Sequence, residues 1–154
     1  MIKIMYNVNN ESVVIEVSDI KIAIFTDNRG GMLFNHRRQV RDTEVIADLV
    51  KYFGKGDIYV DSFSAKQFAE YENVHVCENP VLECEEGGLC VIECPEKLVS
   101  LEKASTFIIY NWCIKYPADE YFTLDLAELG FKRISKKKFA TLIHPKVTCD
   151  VYKK

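Results

Sequence analysis

Hydrophobic and polar positions alternate in short blocks along the chain, and the block lengths predict strands with short helices between them. Residues 2–8 and 12–17 are two apolar, β-branched runs separated by Asn9 and Asn10, the composition of a tight hairpin turn. IKIAIF, residues 20–25, is apolar at nearly every position, which suits a strand buried on both faces. After a polar stretch, Val45, Ile46, Leu49, Val50 and Phe53 recur at helical spacing, with Asp42 or Thr43 to start the helix and Gly54 to end it. DIYVDSF (57–63) predicts the next strand, and Ser64-Ala65-Lys66-Gln67 has the capping-box pattern of a short helix running to about Tyr71. VHVC (74–77) and LCVIE (89–93) read as strands, with Gly87 and Gly88 turning the chain into the second. Pro95 suits the first position of a helix carrying Leu98 and Leu101, and TFIIYNWCI (106–114) is the most continuous apolar run, a core strand. In the tail, FKRIS (131–135) and VTCDVYK (147–153) alternate as half-exposed strands with no helix between them.

This order predicts a single layered α/β domain over residues 1–154, with a mixed, mainly parallel central sheet and a C-terminal antiparallel hairpin at its edge. A chain of this length buries roughly 70% of the surface its unfolded form exposes, so the core needs no metal or disulfide. The formal charge of -3 argues against a molecule that binds nucleic acid or anionic membrane with its whole surface, though local basic patches are compatible with it. The apolar runs are short and interrupted by charge, and the N-terminus has no secretory pattern, so a cytoplasmic location is expected. Six cysteines, at 77, 84, 90, 94, 113 and 149, show no C-x-x-C. Free, mostly buried thiols are expected, and no metal site.

The stretch DNRGGMLFNHRRQVRD (27–42) concentrates the candidate chemistry. Arg37, Arg38 and Arg41 lie beside a predicted helix N-terminus, where free backbone N–H groups favour an anion, and arginine suits bidentate recognition of phosphate or carboxylate. They could hold an anionic heterocycle such as a nucleotide, contact a nucleic-acid backbone, or form a protein-binding patch. The plainer alternative is a polar connection whose arginines pair with Asp27, Asp42 and Glu44. Asp27 and Asp42 could also hold magnesium for phosphoester hydrolysis. His36 has no fixed partner in the sequence, His75 alternates with valines on a strand, and His144 precedes Pro145 in a predicted loop. Trp112, near the end of a core strand, is placed either to stack on a ligand ring or to fill the core.

IAIFTDNRGGMLFNHRRQVRDTEVIADL resembles the first strand, glycine-containing mobile loop and first helix of the dihydrofolate reductase family. GDIYVDSFSAKQF is similar to the family's second strand and the start of its next helix, and VHVCENP to the strand that follows. PADEYFTLDLAELGFKRISKKKFA with VTCDVYKK looks like the family's D-T-Y-F-P segment and final strands. The likeness spans most of residues 20–154 and leaves residues 1–17 as an added N-terminal hairpin. It implies that Asp42 stands where the family places the catalytic carboxylate that binds a pteridine ring, a position that also suits a helix cap. It implies further that Lys66 is a displaced substitute for the family's cofactor-phosphate arginine. The tryptophan and proline that precede the family's carboxylate are replaced by Gln39, Val40 and Arg41. Glu93 and Cys94 fall where the family has a glycine pair against its cofactor, which disfavours NADPH and leaves the cofactor unassigned. The implied function is a reductase-like domain binding a pteridine or nucleotide-like anionic heterocycle.

Overall fold

The computed structural model describes residues 2–17 and 19–154, and its central element is a seven-stranded sheet. Ile2–Val8 (β1) and Glu11–Val17 (β2) pair as an antiparallel hairpin, turned by Asn9 and Asn10 at φ 50° and 64°. Met1, counted with that hairpin in the sequence, lies outside the described residues. Ile20–Thr26 (β3) is buried almost throughout, as its unbroken apolar run predicts. Ala23 and Phe25 face one side of the sheet, and Ile20, Ile22 and Ile24 the other. Beside β3 run Ile58–Val60 (β6), Val74–Val76 (β7), Leu89–Val91 (β8) and Ala104–Asn111 (β9), all parallel to it. Lys132–Phe139 (β11) and Val147–Lys153 (β12) form the antiparallel hairpin that closes one edge through β9. The order across the sheet is β11-β12-β9-β3-β8-β6-β7.

The helix Thr43–Phe53 (α1) packs Val45, Ile46 and Leu49 against Phe25, Val60, Ile108 and Tyr110 on one face. Gly54 ends it at φ 83°, where its N–H reaches the Val50 carbonyl. The other face of the sheet buries Ile22, Ile24, Leu33, Val81, Phe107 and Phe131.

Three sequence expectations are corrected. Residues 27–42 are not one loop: Gly31–Phe34 (β4) and Arg37–Arg38 (β5) form a hairpin, turned by Asn35 and His36 at positive φ, and β4 also pairs with Glu120–Tyr121 (β10). The helix expected to run from Ser64 to about Tyr71 is only a 3-10 turn, Ala65–Phe68, because the Ser64 hydroxyl bonds Glu93 instead of capping. The helix expected after Pro95 is replaced by two 3-10 turns, Pro95–Lys97 and Leu101–Lys103. A four-residue helix, Pro80–Glu83 (α2), also precedes Cys84.

Candidate functional site

Parallel strands deliver their polar residues to one edge, because each strand ends its apolar run where the sheet meets solvent. Asp27 follows β3, Asp61 follows β6, Cys77 follows β7, Glu93 lies just beyond β8, and Trp112 follows β9. These positions and the start of α1 surround the candidate site.

Asp27 is fully buried and organises the chain around it. Its Oδ1 accepts the N–H groups of Arg29 and Gly31 at 2.8 Å each, and its Oδ2 accepts from the Gln39 amide at 3.0 Å and from the Tyr116 N–H at 3.3 Å. Burial would raise its pKa, but these four donors hold the carboxyl below its ordinary value. Gly31 is required by space, since a Cβ there would stand 2.6 Å from both Asp27 Oδ2 and the Ala118 Cβ.

Asp42 caps α1, with Oδ1 accepting from the Glu44 N–H at 3.1 Å. Its Oδ2 accepts from the Thr141 hydroxyl at 2.6 Å and from His144 Nδ1 at 2.7 Å. An ionised carboxylate can only accept, so Nδ1 carries the hydrogen, and Nε2 shares a hydrogen bond with the Tyr116 hydroxyl at 2.9 Å. The His144 ring is completely buried and lies flat on Trp112, with centroids 4.7 Å apart. Burial opposes ionisation of Asp42, yet the Thr141 and His144 hydrogen bonds hold its carboxyl below the ordinary value. Burial and the Asp42 charge push the Tyr116 phenol upward.

A second polar unit adjoins the first. Arg38 makes a bidentate pair with Glu93, Nε to Oε1 at 2.6 Å and Nη2 to Oε2 at 2.7 Å, and its guanidinium lies 4.8 Å over the Phe63 ring. Glu93 also accepts from the Ser64 hydroxyl at 2.6 Å and the Gln67 amide at 2.9 Å. Four donors converge on one buried carboxylate. Between the two units, the space shared by Phe25, Asp42, Ile46, Gln67 and Trp112 shrinks to about 10 Å³, too little for a heterocycle.

The sequence-predicted residues thus separate. Asp42 is buried among its own hydrogen-bond donors, and Trp112 lies between Phe25 and His144. Arg38 is held by Glu93. Arg37 is exposed on β5. Arg41 and Lys66 come together on a depression of about 290 Å³ between α1 and the 65–68 turn, with Thr43 and Glu70 beside them. Neither cation has a hydrogen bond or ion pair among the described residues. His144 and Thr141 were missed: an Ala-Thr-Leu-Ile-His-Pro segment looks like a plain loop, and no local pattern shows that its histidine turns inward. Among the described residues, no group of three or more His, Cys, Asp and Glu side chains is arranged to hold a metal ion. Among the described residues, too, no helix is long and apolar enough to cross a membrane.

A larger cleft, about 760 Å³, opens at the ends of β6, β7 and β8. Its walls include Asp61, Phe63, Cys77, Cys94, Lys97 and Glu120. Burial, reinforced by nearby carboxylates, pushes the Cys77 and Cys94 thiols up to about 11, so both stay protonated at neutral pH.

No protein-family model matches the sequence, and no curated protein matches it. Among solved structures, the dihydrofolate reductase from Enterococcus faecalis, complexed with NADP(H) and RAB-propyl, is similar over 87% of this chain and 95% of that chain. The two are 7% identical and superpose with a TM-score of 0.63. The chain therefore has a dihydrofolate reductase-like fold: an α/β domain with a mixed, mainly parallel central sheet and a C-terminal antiparallel hairpin.

Proposed function

We propose that this domain binds a small anionic ligand, of the nucleotide or pteridine-conjugate class, in the groove between α1 and the 65–68 turn, and that it acts by binding rather than as a nicotinamide-dependent reductase. The observation that carries the reading is the pairing of Arg41 with Lys66 on one depression. Among the described residues both cations lack a partner and Glu70 is the single acid on the same walls, and the first turn of α1 supplies the positive end of a helix dipole. Ile46 and Gln67 line this groove and also the small space beside Asp42, so the groove leads towards the carboxylate that the sequence singled out.

A nicotinamide dinucleotide is a poor match to these residues. Where close backbone approach to a pyrophosphate would need small residues, Glu93 carries a buried carboxylate locked to Arg38. The cleft that could receive the rest of such a cofactor is lined by Asp61, Glu78, Glu96 and Glu120, against Lys97 and His36. Like charge would meet the phosphates. A magnesium-dependent hydrolase gains no support either, since Asp27 and Asp42 each direct both oxygens to internal donors.

The test is titration calorimetry with ATP, folate, NADPH and a short RNA at low and physiological salt. ATP or folate is expected to bind wild type, with affinity falling about tenfold in Arg41→Ala and in Lys66→Ala. NADPH binding that survives both substitutions overturns the reading. RNA binding that collapses with salt, without ATP or folate binding, replaces it with a backbone-binding role.

A further inference from the structure

The cations of the chain are concentrated in its C-terminal hairpin. Residues 131–154 hold eight Lys and Arg and a single acid, Asp150, in a chain that carries 20 Lys and Arg against 23 Asp and Glu. Edge strands are commonly charged to keep other strands from pairing with them, and β11 with its five cations fits that role. The loop beyond it does not. Residues 140–146 join β11 to β12, and their middle presents two adjacent aliphatic side chains, Leu142 at 96% exposure and Ile143 at 53%. Among the described residues no other large hydrophobic is as exposed as Leu142.

The loop is pinned from beneath. The Thr141 N–H donates to the His144 carbonyl at 2.8 Å, and the His144 N–H to the Thr141 hydroxyl oxygen at 3.0 Å. The Thr141 hydroxyl and His144 Nδ1 both donate to Asp42, and the Leu142 N–H donates to Glu44 Oε2 at 2.6 Å. The residues on either side of the aliphatic pair are thus tied to the start of α1, while the pair itself meets solvent. His144 also fixes a neighbouring loop, because Trp112 stacks on its ring and the Tyr116 hydroxyl shares a hydrogen bond with its Nε2. Between those two contacts the chain exposes Ile114 and Lys115.

Single exposed aliphatic residues are ordinary, but Ile114, Leu142 and Ile143 on two joined loops make a patch. Its surround is basic. Lys138 and Lys146 flank the 140–146 loop, Lys136 precedes them on β11 and Lys115 lies on the neighbouring loop, and none of the four has an ion pair among the described residues. Lys137 and Arg133, by contrast, are held by Asp48 and Asp150. Free cations ask for an anionic partner, and the aliphatic pair asks for one that also offers hydrocarbon. A nucleic-acid backbone has the first without the second. A folded protein has both, but two side chains on a projecting loop bury far less area than a stable protein interface requires. A bilayer supplies headgroup charge for the lysines and acyl chain for the tip. We infer that this end of the molecule docks reversibly on an anionic lipid surface, inserting Leu142 and Ile143 with Lys115, Lys138 and Lys146 against the headgroups.

The probe is a vesicle of two parts phosphatidylcholine to one part phosphatidylserine, read by co-sedimentation of the full chain at low and physiological salt, beside vesicles of phosphatidylcholine alone. The expected result is binding to the anionic vesicles that weakens with salt and is absent without phosphatidylserine. Leu142→Ser with Ile143→Ser is expected to lower it at least about tenfold, and Lys138→Glu with Lys146→Glu by a similar factor. All four side chains are exposed, so both double variants are expected to melt close to wild type. Arg41→Ala and Lys66→Ala are expected to leave vesicle binding unchanged. Failure to bind the anionic vesicles overturns the proposal. So does binding that survives the aliphatic double substitution, which marks a diffuse charge effect, or binding lost with Arg41 and Lys66, which assigns the headgroup to their groove. A short RNA that binds through the same lysines and displaces the vesicles also overturns it, since a phosphate backbone would then be the preferred occupant.

Discussion

The pocket around Asp42 and the cleft beside Asp61 lie on the same carboxyl edge of one sheet, yet their acids meet opposite circumstances. Asp42 receives a backbone N–H from its own helix and a hydroxyl and an imidazole from one distant segment, and the space around it closes to about 10 Å³. Asp61 and Glu120 stand on a cleft of about 760 Å³ without comparable partners. The difference shows that an acid's place at a strand end does not decide its use. The donors that other segments bring to it do, because a carboxylate can be withdrawn from water only where hydrogen bonds replace its hydration, while one on an open cleft keeps solvent.

The largest expected effect tests whether the closed side is held by an internal ion pair. Glu93→Ala leaves the Arg38 guanidinium without its carboxylate and is expected to cost about 3 kcal/mol or more in urea unfolding. The double variant Glu93→Leu with Arg38→Met is expected to recover most of that loss. A cost below about 1 kcal/mol for Glu93→Ala would mean that the pair contributes no more than an exposed salt bridge, removing the contrast between the two sides.

Next is the His144 unit. His144→Ala removes the stack on Trp112 and a donor from Asp42, with an expected loss of about 2 to 3 kcal/mol. Asp42 and Asp27 both have carboxyls held below the ordinary value of 3.8. Their contribution is therefore present above that value and is lost as pH falls through it towards the folded-state pKa. Asp42→Asn should be less stable at neutral pH and should show a flatter loss of stability on acidification below about pH 4. An unchanged acid limb in that variant would show that Asp42 is not held ionised by its donors.

Gly31→Ala sharpens the packing side of the comparison, because its Cβ would meet the Asp27 carboxylate and Ala118. An expected cost of about 2 kcal/mol, read from thermal unfolding, is typical of overpacking a closed site. The smallest effect lies on the open side. Glu120→Gln is expected to change stability by less than about 0.5 kcal/mol, because its side chain is 31% exposed, and a clear drop in melting temperature would show that its carboxylate is held by a partner as firmly as Asp42.

Much of the architecture was legible along the chain. Buried strands such as β3 and β9 announce themselves as continuous apolar runs, α1 by its helical spacing, and the first turn by two asparagines that tolerate positive φ. Asp42 was legible as a cap because a cap is a local interaction. The β4–β5–β10 sheet was not, since its third strand lies near residue 120, far from the polar stretch that contributes the hairpin. The predicted helix after Ser64 shortened because its capping hydroxyl found a stronger acceptor in Glu93, 29 residues away.

The sequence by itself determined the elements and their class, because apolar periodicity is a property of neighbouring residues and the sheet it builds has few alternative arrangements. Tertiary structure alone decided how the polar residues are used: Arg38 went to Glu93, His144 turned inward to Asp42, and Arg41 met Lys66. Those pairings join positions separated by up to 102 residues. Charge and hydrogen-bonding capacity can be read from a residue's type, but its partner depends on which segments the folded sheet brings within about 3 Å of it.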